Sequence, residues 1–480
     1  MLGAYAAVAR AKFKWPCMSE FRLHLRAPLL RSNARWMKVL AAVLGRVIMQ
    51  FDLTRRCFVI SMPALLAACS REPRQTALSS GFTATSEFEA QEFIWMTWSE
   101  NGFLGGPPMS DAIVPALRAL TPHVRVRLLY SQWTSWLDQY ANKAPPRTLK
   151  DAKARIETHL SAEGVDISRI EFIRSSFLPG ALQDPGPYFL RNSENQLAIA
   201  DFASAHPIAA VGAVDQEMAR HLGLPMVATH VASDGGNRQN NGKGVLMLGE
   251  AFARSINPDL SLDEIEAEHS RVHGAQKMIW LKQGARDEDA GLLEDGRWGI
   301  GTAGHVDEFA RFADARTILL AEVLPEDRDL NAITRETHRR MEENFDILSR
   351  ATDQDGQPFR ILRVPFPDLM TAQMKVDEMS EMERYFFEDA SPGETVTFYL
   401  PGSYLNFIIA NGAVITSKFW RDGMADSMRR KDELGRAALE DAFPGREIIQ
   451  IDTHPLLYDA SGLHCYSRNQ PFAKKREIWN

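Results

Sequence analysis

Cys465 stands alone in the long C-terminal part of the chain. The sequence holds four cysteines, Cys17, Cys57, Cys69 and Cys465, and three of them fall within the first 69 residues. One thiol cannot close an internal disulfide. Cys465, in Ser461-Gly462-Leu463-His464-Cys465-Tyr466, is therefore either a small buried residue or a nucleophile. His305 and Asp307 sit two apart in Gly304-His305-Val306-Asp307-Glu308-Phe309. On a strand they would project from one face, as a structural pair, an acid–base pair or two of the several ligands a metal needs. Asp184 precedes Pro185-Gly186-Pro187, and Asp234 precedes Gly235-Gly236-Asn237; taken singly, both read as turns. Gly242-Lys243-Gly244 lacks the strand–loop–helix frame of a phosphate loop and reads as a hairpin turn. His159, His221, His269 and His338 lie among charges in helical stretches and read as surface. No HExxH or CxxC motif is present, and no metal or cofactor is expected.

Short runs rich in Val, Ile, Phe and Tyr alternate with amphipathic stretches, the pattern of an α/β fold. Strands are predicted at 93–98, 124–130, 171–173, 196–201, 244–248, 278–281, 317–323, 359–364, 395–400, 405–409, 413–416 and 447–451. Helices are predicted at 110–120, 149–162, 215–222, 262–273, 331–350 and 424–443, several ending at a Gly or Pro stop such as Gly164 or Pro444-Gly445. No sharp sequence repeat marks the chain.

The first 69 residues read as a leader. Thr54-Arg55-Arg56-Cys57-Phe58-Val59-Ile60 resembles a twin-arginine export signal. The apolar run Val59 to Ala68 is too short to span a membrane and ends in Leu66-Ala67-Ala68-Cys69, which resembles a lipobox with Cys69 as the lipidated residue. Met49 is then the natural start of the signal (49–69). Residues 70–86 have the composition of a tether, and 87–480 read as one unit. Membrane association is expected only through the lipid, on the periplasmic side, with a cytoplasmic location as the alternative. Residues 1–48 are strongly basic, with Glu20 the one acid, so the remainder is more acidic than the formal net charge of −7 conveys. That balance disfavours a nucleic-acid partner and suits a cationic substrate.

In order along the chain, Asp184-Pro185-Gly186-Pro187, Asp234-Gly235-Gly236-Asn237, Gly304-His305-Val306-Asp307 and His464-Cys465 resemble the agmatine deiminase and bacterial peptidylarginine deiminase family. The resemblance covers roughly residues 87–475. It extends to Trp95-Met96-Thr97-Trp98, the run 403–412 and Asn469-Gln470-Pro471. It implies a pentein α/β propeller, five ββαβ-like blades around an axis that carries the active site in a narrow acidic tunnel. It also implies roles. A guanidinium is planar, cationic and rich in donors, and Asp184 and Asp307 would grip it. Cys465 would attack its carbon, and His305 would move the protons. Asp234, Gly235 and Gly236 would help position the substrate, and His464 would be structural.

Ala181-Leu182-Gln183-Asp184 stands where agmatine deiminases usually read Trp-x-Arg-Asp, and Ala303-Gly304 where they read Asp-Gly. Together with export, these departures turn the expectation toward arginine in peptides or proteins, converted to citrulline. The alternative is agmatine, converted to N-carbamoylputrescine. A non-catalytic lipoprotein that binds cationic ligands, and a metallohydrolase built on His305 and Asp307, are the readings from other classes.

Overall fold

Five times along the chain one pattern recurs: a short leading strand, a longer strand antiparallel to it, a helical segment, and a third strand parallel to the second. The computed structural model describes residues 81–473, apart from 136–138, 140–144, 204–212 and 303. The leader, with Cys17, Cys57 and Cys69, lies outside the described residues.

One unit runs Tyr188–Asn192, Leu197–Ala203, helix Val214–Leu222 and Met226–Ala232. The next runs Arg238–Asn240, Val245–Gly249, helices Glu250–Ile256 and Leu262–His273, and Lys277–Leu281. The third is Ala310–Phe312, Thr317–Glu322, helix Ala332–Arg350 and Arg360–Pro365. The fourth is Ile408–Ile409, Ala413–Lys418, helix Asp426–Ala442 and Glu447–Asp452. The fifth joins the two ends of the described chain. Its leading strand, Ser467–Pro471, comes last in sequence and pairs antiparallel with Gln91–Thr97. Helix Ser110–Leu120 and strand Arg125–Tyr130 follow, with Ile170–Arg174 added at the edge. A sixth sheet of Gly291–Leu292, Trp298–Gly299, Thr395–Leu400 and Met370–Lys375 stands outside the pattern. Each of the six sheets is open; none closes on itself among the described residues.

The long second strands are apolar through their centres because both faces are covered. Val245 to Gly249 are all buried, as are Thr317 to Ala321, the signature of strands packed between layers. Helix Ala332–Arg350 turns Ile333, Thr337, Met341, Asn344 and Leu348 inward, a helical 3–4 spacing. Each fully buried Ile, Met or Leu contributes about 1.5–3 kcal/mol. Asn344 ties this face to the neighbouring unit: its amide oxygen accepts from the Lys282 N–H at 2.8 Å, and its amide nitrogen donates to the Gln283 carbonyl at 2.9 Å. The helix begins at a capping box, with Asn331 accepting from the Thr334 N–H at 2.9 Å.

The sequence reading differs from the structure in a few places. The predicted tether includes 82–84, but Phe82–Ala84 pairs with Leu190–Asn192 as an edge strand. His269, expected at the surface, is buried and stacks on Phe202 and His273, with ring centroids 5.2 and 5.3 Å apart. Gly242 and Gly244 do form the expected hairpin turn between Arg238–Asn240 and Val245–Gly249, at φ of 64° and 94°. No helix among the described residues is long and apolar enough to cross a membrane.

Candidate active site

The residues that meet at the site lie just ahead of leading strands. Asp184 comes four residues before Tyr188, and Asp234 four before Arg238. His305, Asp307 and Glu308 precede Ala310, Asn406 precedes Ile408, and His464 and Cys465 precede Ser467. Each of the five units therefore contributes one loop, which is how residues almost 300 positions apart in sequence meet.

His305 and Asp307 do not lie on a strand, as their spacing had suggested. His305 caps a single 3₁₀ turn, Val306–Glu308. Its ring is buried, edge-on to Phe252 at 4.3 Å. Nδ1 faces Asp184 Oδ1 at 3.6 Å, and Nε2 faces Asp234 Oδ2 at 3.6 Å. Neither ring nitrogen has a hydrogen-bond partner, and neither does Asp234 Oδ2 or Asp307 Oδ1. Burial opposes a charge on His305, but the carboxylates of Asp184 and Asp234 outweigh it and raise its pKa. Burial raises Asp184 to about 6; His305 acts against that, and the neighbouring acids Asp234 and Asp307 add to it.

Gly235 and Gly236 are there for closeness. A Cβ on Gly235 would lie 1.9 Å from the Gln183 carbonyl oxygen. A Cβ on Gly236 would meet His305 Nδ1 at 2.7 Å, Asp307 Oδ1 at 3.0 Å and Asp184 Oδ1 at 3.1 Å. The Gly236 N–H donates to Asp184 Oδ1 at 2.9 Å. Three polar atoms thus converge on the space that the missing side chain leaves open. Asp184, Asp234 and His305 also offer ligand atoms within 4.8 Å of one another. The set can hold a cation, and it is this trio, rather than His305 with Asp307, that has metal-ligand spacing.

Cys465 is buried, and its backbone carbonyl accepts from the Gln183 N–H at 2.8 Å. Asn406 Nδ2 donates to Cys465 Sγ at 3.2 Å and to Glu308 Oε1 at 2.6 Å, and Sγ lies 3.6 Å from that same oxygen. Burial first, then Asp307, Glu308 and Asp184, push the thiol well above its ordinary pKa. Burial and Asp307 push Glu308 up to about 8. Both shifts favour the protonated forms, a thiol beside a carboxylic acid.

His464 is more than filler. Its Nδ1 meets Asp307 Oδ2 at 2.6 Å, and its Nε2 meets both Glu87 oxygens at 2.9 and 3.0 Å. Glu87 also accepts from the fully buried Arg311 at 2.6 Å. Burial opposes ionisation of Glu87, yet His464 and Arg311 hold its carboxyl far below the usual range. The result is a continuous hydrogen-bonded row, Arg311, Glu87, His464 and Asp307, behind the cradle. Sequence reasoning assigned no role to Glu87, Glu308 or Asn406. Glu308 follows Asp307 directly, and Asn406 sits in the quoted run 403–412, so both were within reach. Glu87 carries no local signal at all.

The family model of the Porphyromonas-type peptidyl-arginine deiminase matches residues 83–471. The chain belongs to this family. Its chemistry is accordingly hydrolytic deimination of a guanidino group, cleavage of a C–N bond in a linear amidine. Among curated relatives, the agmatine deiminase of Pseudomonas syringae pv. tomato is 26% identical over 416 residues, covering 82% of this chain and 97% of that protein. The agmatine deiminase of Pseudomonas aeruginosa is 25% identical over 420 residues, covering 84% and 99%. The agmatine deiminase of Enterococcus faecalis has the same fold, with a TM-score of 0.62 at 20% identity over 83% of this chain and 98% of that one. The C. jejuni agmatine deiminase gives 0.56 at 19% identity over 82% and 97%. The mixed α/β architecture of this deiminase family is thus the architecture of the chain.

Proposed function

We propose that this enzyme deiminates a small free guanidino compound, with agmatine as the substrate and N-carbamoylputrescine and ammonia as the products. The observation that carries the substrate choice is the depth of the site. Cys465, His305, Asp307 and Glu308 are all buried, which suits a slender ligand that enters end-on better than a side chain held on a folded protein. The curated relatives named above are agmatine deiminases matched over nearly their whole length. The sequence alone had favoured peptidyl-arginine. That reading keeps one support, the description of the matching family.

The mechanism follows from the charges. The guanidinium sits over Gly236, with Asp184 and Asp307 at its edges and Asp234 beside His305. Charge-assisted bonds there give orientation as well as affinity. The arriving cation offsets the negative field that keeps Cys465 protonated, so the thiol releases its proton to solvent and the thiolate forms with substrate in place. Sγ attacks the guanidinium carbon. His305 protonates the departing nitrogen, which leaves as ammonia, and an S-alkylthiouronium remains on Cys465. His305 then takes a proton from water, the hydroxide adds to the same carbon, and the C–S bond breaks to release the ureido product. Asn406, donating to Sγ, stabilises the thiolate at both stages.

The same proposal reads the five units as blades around a common axis. It is supported by the way each unit delivers a site residue ahead of its leading strand. It also retains the export leader and lipidation of Cys69, which globomycin-sensitive processing lost in Cys69→Ala would test. For the substrate, the deciding experiment compares kcat/KM for agmatine, free arginine and a peptide with internal arginine. Agmatine should lead by at least about 100-fold, a difference of roughly 2.7 kcal/mol in transition-state binding. A lead for the peptide would reinstate the other reading.

A further inference from the structure

Next to the site lies a small cavity whose two arginines the reaction does not use. Glu87, Tyr188, Arg238 and Arg468 line it, and it has room for one water-sized body, about 20 Å³. Arg238 and Arg468 are each only 3% exposed. Neither forms an ion pair among the described residues. Arg238 leaves Nε and Nη1 without a hydrogen-bond partner, and Arg468 leaves Nη2. Arg468 uses Nε on the Pro187 carbonyl at 2.7 Å. Glu87 cannot serve them, because its oxygens are held by His464 and Arg311.

Aromatic faces offset part of the cost. The Arg238 guanidinium carbon lies 4.0 Å from the Phe202 ring centre and 4.6 Å from that of Tyr188, and Arg468 also lies 4.6 Å from Tyr188. Such contacts supply a modest attraction that grows when desolvated. Unpaired donors on two buried like charges cost more than that. In keeping with this, burial and the nearby Arg468 lower Arg238 to about 10. What those three nitrogens lack is a free acceptor, since the Glu87 carboxylate in the same cavity is already engaged by His464 and Arg311.

We propose that this cavity binds a single monatomic anion of the halide class, chloride in solution, held between Arg238 and Arg468. Room for one water-sized body suits a monatomic ion better than a carboxylate or phosphate, which carry several heavy atoms. The site is independent of the choice of substrate, yet it adjoins the cradle. A Cβ on Gly235 would lie 3.3 Å from Arg468 Nη1, so the anion would brace the backbone that presents Gly236 to Asp184.

Two measurements on the whole enzyme test this. Crystals grown in sodium bromide should show an anomalous difference peak between Arg238 and Arg468. In thermal melts, sodium chloride should give a saturable rise of about 1–3 °C over sodium gluconate at equal ionic strength. Arg238→Gln, or Arg468→Gln if the first folds poorly, should lose that rise. An ordered water with no anomalous signal at this position, or equal melting curves in the two salts, would overturn the proposal.

Discussion

Asn406 holds Cys465 twice. Its amide nitrogen donates to the sulfur at 3.2 Å, and its amide oxygen accepts the backbone N–H of Cys465 at 3.3 Å and that of His464 at 2.8 Å. One side chain therefore fixes both the nucleophile and the loop that carries it. Gly462 makes room for it, since a Cβ there would lie 2.4 Å from Asn406 Oδ1.

Asn406→Ala should lower kcat by about 10²–10³-fold, the usual effect of removing one donor from a developing anion. It should also lower the melting temperature, because stranded buried N–H groups cost about 1–3 kcal/mol each. Steady-state kinetics and a thermal melt check both. A kcat within threefold of the parent would show that Sγ does not depend on this amide.

Gly236→Ala separates the cradle from the fold. The new methyl would occupy the space where His305, Asp307 and Asp184 converge. The expected result is a loss in kcat/KM of about 10²-fold or more, the scale of a displacement near 1 Å. Far-UV circular dichroism should stay unchanged. Full activity would mean that the guanidinium sits elsewhere.

Glu308 links the site to pH. Its pKa is raised from 4.5 to about 8 in the fold. The unfolded chain therefore releases this proton first, and the group's contribution to stability is full below about 4.5 and is lost as pH rises toward about 8. Glu308→Gln cannot titrate. Its stability relative to the parent should rise between pH 5 and pH 8.5 in urea melts, and its activity at pH 7 should persist, because the parent carries a neutral acid there. A flat difference across that range would contradict a protonated Glu308.

Glu87→Gln should act at a distance. It leaves Arg311 and His464 facing each other without the carboxylate between them, and breaking a buried ion pair costs about 3 kcal/mol or more. The melting temperature should drop, and KM for agmatine should rise about tenfold as His464, the partner of Asp307, loses its anchor. Unchanged values for both would reduce the row from Arg311 to Asp307 to coincidence.

What the sequence made legible, and what it hid, follows one physical line. The apolar second strands, such as Val245–Gly249 and Thr317–Glu322, announced themselves because both faces are buried. Leading strands such as Arg238-Gln239-Asn240 and Ser467-Arg468-Asn469-Gln470-Pro471 did not. They are short and polar yet buried, and polarity in a short run reads as loop. The fivefold pattern was partly hidden with them, since two of its five units begin at such a strand. Cys465, His305, Asp184, Asp234 and Asp307 were legible as ordered motifs. Glu87 was not, because its partners His464 and Arg311 lie 377 and 224 residues away. His269 was misread because a helix with many charges can still turn a histidine into an aromatic stack.

Cys465→Ser assayed for ammonia release from agmatine tests the central claim most directly. The hydroxyl keeps the shape and the Asn406 contact but makes a far poorer nucleophile. With Cys465 as the covalent nucleophile, the rate should fall by about 10⁴-fold or more while agmatine still binds. Ammonia release within tenfold of the parent would contradict it.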